Sequence, residues 1–253
     1  MADRKKLFVD LGHSAAWAGA NGFISEVAWN RKIYPYFLQE LDQQFWEVIL
    51  VPDEFKLDLS ANMNLTRRIN WINARATEKD YLISIHGNAA SRPDARGVTT
   101  CYIGGSDFAR IEATKLSQAY SEATGVPLWS NGEFADTRSR YGRLGMVRDT
   151  KPFALLIEAG FVTNQADMAI APVAAARGIA NYYNSYNPNF KKTMPDITAD
   201  QEAEKFIKLF LEKGFIKTRA GLEVPMVKRE SIIMAGRILE EFQKMLVAAN
   251  LNK

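Results

Sequence analysis

The 253-residue chain contains two histidines, and both are delivered in the same way. His13 follows Leu7-Phe8-Val9-Asp10-Leu11-Gly12, and His86 follows Leu82-Ile83-Ser84-Ile85 and precedes Gly87, so each stands at the end of an apolar run beside a glycine. Imidazole is the usual nitrogen ligand of zinc, and a catalytic zinc takes three protein ligands and leaves a fourth position open. The third ligand should be a carboxylate close to one of the rings. Glu26 lies 13 residues after His13, across the small-residue loop SAAWAGANGFIS, which can fold back and set it in the first turn of a following helix. A second acid, Glu158, ends the run Leu155-Leu156-Ile157 and precedes Ala-Gly. A carboxylate on a buried-type strand is costly unless something uses it. Facing the open position of a metal, it would take a proton from water and pass it to a leaving amine. Each residue alone has an ordinary account: a strand-end histidine that is simply hydrogen-bonded, Glu26 as an acid favoured by the helix dipole, Glu158 paired with an arginine such as Arg148. Their common placement at strand ends is what joins them.

That placement needs a scaffold. Strand-length apolar runs recur at Lys6–Leu11, Glu47–Val51, Tyr81–His86, Gly97–Ile103 and Phe153–Ile157. Between them Ile24–Phe45, Leu65–Lys79 and Asp107–Thr124 repeat apolar residues every three or four positions, as amphipathic helices do, and Asn164–Asn184 reads as one more helical stretch, broken near Pro172. Strands alternating with helices predict an α/β fold with a twisted, largely parallel sheet covered on both faces. In such a sheet ligands gather beyond the carboxyl ends of the strands, so neighbouring, parallel first and third strands would bring His13 and His86 to one rim. Residues 125–144 are polar, aromatic and glycine-containing without a period. They are expected to line a groove, with Trp129 or Tyr141 available for packing on a ligand, although core packing is the simpler account of Trp129.

Composition removes several classes of function. The net charge of +3 resides in residues 191–253, where 12 Lys and Arg face 9 Asp and Glu. That excess lacks the dense basic clusters and interleaved aromatics of a nucleic-acid binder, so no nucleic-acid partner is expected. No apolar run is long enough to span a bilayer, which predicts no membrane insertion, and MADRKKLFVD carries no secretory signal pattern. The single cysteine, Cys101, excludes an intramolecular disulfide. The Pro- and Asn-rich stretch NSYNPNFKKTMPD marks a linker, which divides the chain into a domain over 1–184, a linker over 185–196 and a small helical tail over 197–253, with helices at Ile197–Lys213 and Val227–Ala249.

The segments VDLGHS, ISEVAWNRKI, YLISIHGNA, GVTTCYIGG and GMVRDTKPFALLIEAGFVTN occur in an order and spacing that resembles the zinc-dependent N-acetylmuramoyl-L-alanine amidases, the cell-wall amidase family of phage endolysins and bacterial autolysins. The resemblance runs from Lys6 to about Asn184. It implies an open mixed sheet of about six strands flanked by helices, one Zn2+ held by His13, Glu26 and His86, and Glu158 as the catalytic acid and base. It also implies peptidoglycan as substrate, cut at the amide between the lactyl group of N-acetylmuramic acid and L-alanine of the stem peptide. One departure is that the family's usual Ala-Asn pair before the third strand is here Ile72-Asn73. Asn88 is a candidate substrate contact, or a turn former after Gly87. Arg148 is a candidate for holding a stem-peptide carboxylate in a bidentate fork, or a plain ion-pair partner.

In the tail, LEVPMVKRESIIMAGRILEEF resembles the second half of a surface-layer-homology-like motif. Wall targeting, homo-oligomerisation through the C-terminal helices and a plain stabilising cap all remain open for it. The lack of an export signal points to an endolysin released through a holin-type pore, with an autolysin as the alternative. Two competing functions are a zinc peptidase cutting within the stem peptide and a non-catalytic wall-binding module; the second would be marked by a missing ligand or a missing Glu158.

Overall fold

The computed structural model describes residues 4–14, 16–53 and 60–190. The two tail helices expected from the sequence lie outside the described residues. In chain order the elements are β1 (Lys5–Leu11), α1 (Glu26–Glu40), β2 (Trp46–Leu50), α2 (Ala61–Asn73), β3 (Tyr81–Asn88), β4 (Val98–Tyr102), α3 (Asp107–Thr124), β5 (Leu128–Ala135), α4 (Gly145–Arg148), β6 (Phe153–Phe161), α5 (Gln165–Met168) and α6 (Pro172–Asn184). They form an open, mixed six-stranded sheet in the order β2-β1-β3-β6-β4-β5.

The strand neighbours β2, β1, β3 and β6 are parallel, β4 runs antiparallel to β6, and β5 is parallel to β4. The carboxyl ends of β1, β3 and β6 therefore share one rim with the amino end of β4. Strand alternation sorts side chains between two cores. Leu7, Val9 and Leu11 of β1 join Ile83, Ile85, Leu155 and Ile157 against α1, α3 and α6, while Phe8, Leu82 and Leu156 pack with Ile72 of α2 and Met146 of α4. Successive strand residues point to opposite faces, so each strand feeds both layers.

Helix ends follow their caps. Ser25, Ser60 and Ser106 each accept a backbone N–H from the first turn of α1, α2 and α3, and Gly125 closes α3 in the left-handed conformation. The cap at Ser60 starts α2 four residues before the expected Leu65, and the side chain of Asn73 ends it by bonding Asp149 and Lys151. β5 was not readable as a strand. Two steps along β4, Val98 to Thr100, face five along β5, Leu128 to Glu133, and the surplus is taken up by Ser130, Asn131 and Gly132, all at positive φ. A bulge of that size destroys the two-residue alternation by which a strand is recognised. Trp129 packs on Phe161 with ring centroids 5.0 Å apart, while Tyr141 is exposed. No helix among the described residues is long and apolar enough to cross a membrane.

Candidate metal centre and active site

Each component of the site is set by a strand end or a helix start. β1 pairs with β3 from Leu7–Tyr81 to Leu11–Ile85, and the Gly12 N–H extends that ladder to the Ile85 carbonyl at 2.9 Å. The chain turns at His13, whose φ of 61° is uncommon for a residue with a Cβ and persists only where the surroundings hold it. The His13 and His86 rings then meet edge to face, their centroids 4.9 Å apart. The loop after His13 is folded back by the Phe23 N–H on the Val162 carbonyl and the Glu26 N–H on the Ala20 carbonyl, and the Ser25 cap makes Glu26 the first residue of α1.

Three potential ligand atoms converge. Glu26 Oε1 lies 2.8 Å from His86 Nδ1 and 3.2 Å from His13 Nε2. Ligands bonded at about 2.0–2.1 Å around a tetrahedral zinc lie roughly 3.3 Å from one another, so these atoms are close enough to share one ion. The described residues hold this one group of three His, Cys, Asp or Glu side chains with ligand atoms mutually within 4.8 Å. The backbone holds the carboxylate as well: Glu26 Oε2 accepts the Ala20 N–H at 2.9 Å and Oε1 the Gly87 N–H at 3.2 Å. Burial opposes ionisation of Glu26, but hydrogen bonds and charge from His13 and His86 outweigh it and hold the carboxyl well below its usual range.

The glycines beside the histidines are there for space. A Cβ on Gly12 would stand 2.3 Å from the His86 ring, and one on Gly19 2.3 Å from Glu26 Oε2 and 2.8 Å from the His13 ring. Either substitution must push a side chain of this cluster aside. Gly12→Ala is expected to leave the sheet intact and to weaken divalent-ion binding roughly 10- to 100-fold, the scale of disturbed support around metal ligands. Competition against a chromophoric chelator measures this; native affinity in the variant would show that the contact does not set the ring position.

Glu158 stands at the same rim. In the β3–β6 register its Cα partner is His86, so both side chains leave the sheet on one face. The residue is partly exposed, yet Oε2 is enclosed and has no hydrogen-bond partner. Burial, and then the nearby charge of Glu26, push its pKa up to about 8. The arginine pairing considered for it is not formed by Arg148, which gives its fork to Asp136, Nε to Oδ2 at 2.6 Å and Nη2 to Oδ1 at 2.5 Å. Asp136 also accepts the N–H groups of Gly104 and Leu144, so the pair pins the segment between β5 and α4. Asn88 ends β3, its side-chain oxygen accepting the Ala89 N–H and its carbonyl accepting the Val162 N–H.

A family model described as N-acetylmuramoyl-L-alanine amidase matches residues 7–177. The chain belongs to this amidase family. Among solved structures it is similar to the catalytic domain of the amidase CwlV from Bacillus (Paenibacillus) polymyxa, with a TM-score of 0.57 and 23% identity over 72% of this chain and 97% of that one. It is also similar to an N-acetylmuramoyl-L-alanine amidase from Clostridium difficile, with a TM-score of 0.61 and 21% identity over 75% and 100%. The catalytic domain of an endolysin targeting Clostridia difficile superposes with a TM-score of 0.55 and 23% identity over 74% and 100%. At these identities the likeness is one of fold. No curated protein gives a significant match.

The amidase is therefore a peptidoglycan hydrolase that cuts between N-acetylmuramic acid and the L-alanine of the stem peptide. The sequence reading singled out the four side chains that this rim gathers. It missed the spatial demand on Gly12, although the glycine next to His13 was its visible trace, and it missed the demand on Gly19 altogether. It also missed the backbone clamp on Glu26 from Ala20 and Gly87, which has no signature in residue type.

Proposed function

We propose that this amidase works as a one-zinc hydrolase with His13, Glu26 and His86 as ligands and Glu158 as the proton carrier. The observation that carries the reading is the convergence of His13 Nε2, His86 Nδ1 and Glu26 Oε1 on one point, beside an enclosed carboxylate oxygen with no partner. Two neutral imidazoles and one carboxylate are a donor set that zinc accepts, with a position left for water or substrate. When bound, the ion supplies a Lewis acid that acidifies water and polarises the lactyl carbonyl.

The remaining work belongs to the chain. His13 and His86 meet at the steep angle their edge-to-face packing fixes, and the Ala20 and Gly87 N–H groups stop the Glu26 carboxylate from rotating away. With Glu26 neutralised by a bound dication, Glu158 loses one of the two causes that favour its protonated form and is drawn toward the ionised state a base requires. It takes the proton of the attacking water, then returns it to the alanine nitrogen as the C–N bond breaks, and ends as it began. Asn88 is assigned to substrate at the rim. Arg148 is assigned to the wall of the groove through Asp136, and a stem-peptide carboxylate could engage it only by sharing that fork. Residues 1–184 then carry catalysis, and 197–253 wall targeting or self-association. The fold shared with an endolysin catalytic domain supports a lytic role of that kind.

Metal removal tests the reading. Exhaustive chelation should lower hydrolysis of purified cell wall by at least about a hundredfold, since a Lewis acid contributes several kcal/mol to the barrier, and about one equivalent of zinc should restore it. The products should be intact glycan and peptides with free L-alanine amino termini. Full activity with no bound metal would refute the zinc assignment, and new termini within the stem peptide would transfer it to a peptidase.

A further inference from the structure

We propose that Thr99 is a positioning residue for the amidase reaction, its hydroxyl holding Glu158 by a hydrogen bond to Oε2. The inference rests on the proton-carrying role assigned to Glu158. Thr99 is the second residue of β4 and Glu158 its Cα partner in the antiparallel β4–β6 pair. Directly opposed residues of an antiparallel pair leave the sheet on the same face, with Cβ atoms about 4.5–5.5 Å apart. His86 is the partner of Glu158 on the other side, so the rim reads His86, Glu158, Thr99 across three adjacent strands.

Both groups carry an unmet demand. Thr99 is 3% exposed and its Oγ1 has no hydrogen-bond partner, and Glu158 Oε2 is likewise enclosed without one. Buried polar atoms are almost always paired, and an exception calls for a cause. A hydroxyl is one donor with two lone pairs, and a carboxylate is an acceptor. The two orphans are therefore complementary, and they are neighbours. Their cross-strand register puts the two side chains within reach of one another, so the threonine hydroxyl can supply what Oε2 lacks. Cys101, the next β4 residue on that face, is buried but offers only a weak donor.

The hydroxyl is also superfluous to the strand. Valine has the same shape and an equal preference for β structure, and it would leave no orphan oxygen at this buried position. What valine lacks is the ability to donate to a carboxylate and accept from a carboxylic acid. Threonine can do both, so its contact survives either protonation state of Glu158. Anchoring one oxygen leaves the other oriented for proton transfer, and orientation of a proton carrier appears in kcat rather than in substrate affinity.

The test compares Thr99→Val, Thr99→Ser, Glu158→Gln and the Thr99→Val/Glu158→Gln double variant on purified cell wall. Thr99→Val should lower kcat by roughly ten- to a hundredfold, the worth of a hydrogen bond to a charged group, with KM and bound metal unchanged. Its thermal midpoint should fall only slightly, because one hydrogen bond is lost and the rest of the packing is kept. Thr99→Ser should recover most of the rate, and the double variant should be no slower than Glu158→Gln alone. Native kcat in Thr99→Val, or a loss accounted for by unfolding at the assay temperature or by lost metal, overturns the assignment and leaves the zinc amidase reading intact. Full turnover in Glu158→Gln removes the proton role itself, and with it this inference.

Discussion

Glu158→Gln should leave the amidase folded and able to bind metal while lowering turnover by about 10³-fold, within the 10²–10⁴ range of a positioned acid–base group. Glutamine keeps the shape of the side chain and cannot carry the proton from water to the departing nitrogen. It also keeps two polar atoms where Glu158 presents one enclosed oxygen and one facing the rim, so the β3–β6–β4 arrangement has no reason to change. Muropeptide release measures the rate, and metal stoichiometry with far-UV circular dichroism verifies the rest. A second readout comes from the raised pKa. In the metal-free protein the unfolded chain releases this proton near the ordinary value of 4.5, whereas the folded chain holds it up to about 8. The folded state therefore binds more protons between those values, and stability should fall as pH rises through that window. Glu158→Gln should lose that part of the pH dependence. A variant that hydrolyses wall at the native rate would separate Glu158 from the chemistry, and an unchanged pH profile of stability would separate the raised pKa from this residue.

The meeting of the four side chains at one rim was more legible in the sequence than the scaffold that orients them. His13, His86 and Glu158 each end an apolar run, and the rule that α/β sheets bind beyond their carboxyl ends turns three strand ends into one rim. Glu26 was reachable because a small-residue loop can fold back and set it in the first turn of the next helix, although the expected start at Ile24 runs ahead of the Ser25 cap. The direction of β4 was not reachable from the residues, since Gly97–Ile103 alternates equally well in either sense, and only the resemblance to a mixed-sheet family anticipated a reversed strand. That reversal is what lets Thr99, near the start of its strand, sit beside Glu158, near the end of another. β5 was hidden by its bulge at Ser130–Gly132. Arg148 kept two readings because residue type does not say which carboxylate a guanidinium will meet, and its fork is on Asp136.

The largest loss of stability is expected from Arg68→Met, a change remote from the reacting atoms. Asp10 of β1 is fully buried and Arg68 of α2 nearly so. Arg68 Nη1 reaches both Asp10 oxygens at 2.7 Å, its Nε donates to Asn64 Oδ1 at 3.1 Å, and the Ser84 hydroxyl donates to Asp10 Oδ2 at 2.7 Å. Asp10 and Ser84 are Cα partners across β1 and β3, so this group ties α2 to the two strands that lead to His13 and carry His86. Removing one partner of a buried pair costs about 3–5 kcal/mol because the other charge stays behind. An exposed pair such as Arg31–Asp53 is worth about 0–1 kcal/mol. Against a total of about 5–15 kcal/mol for a domain, the Arg68 change should lower the urea midpoint markedly. Methionine preserves much of the aliphatic volume, so the cost is electrostatic rather than a cavity. Replacing Asp10 with leucine in the same chain should then recover most of the loss, since an apolar pair of similar size is often as stable as the ion pair it replaces. If Arg68→Met unfolds within about 1 kcal/mol of the native protein, or the double variant is no more stable than the single, the carboxylate does not depend on the guanidinium. The rim would then be held by its strands alone.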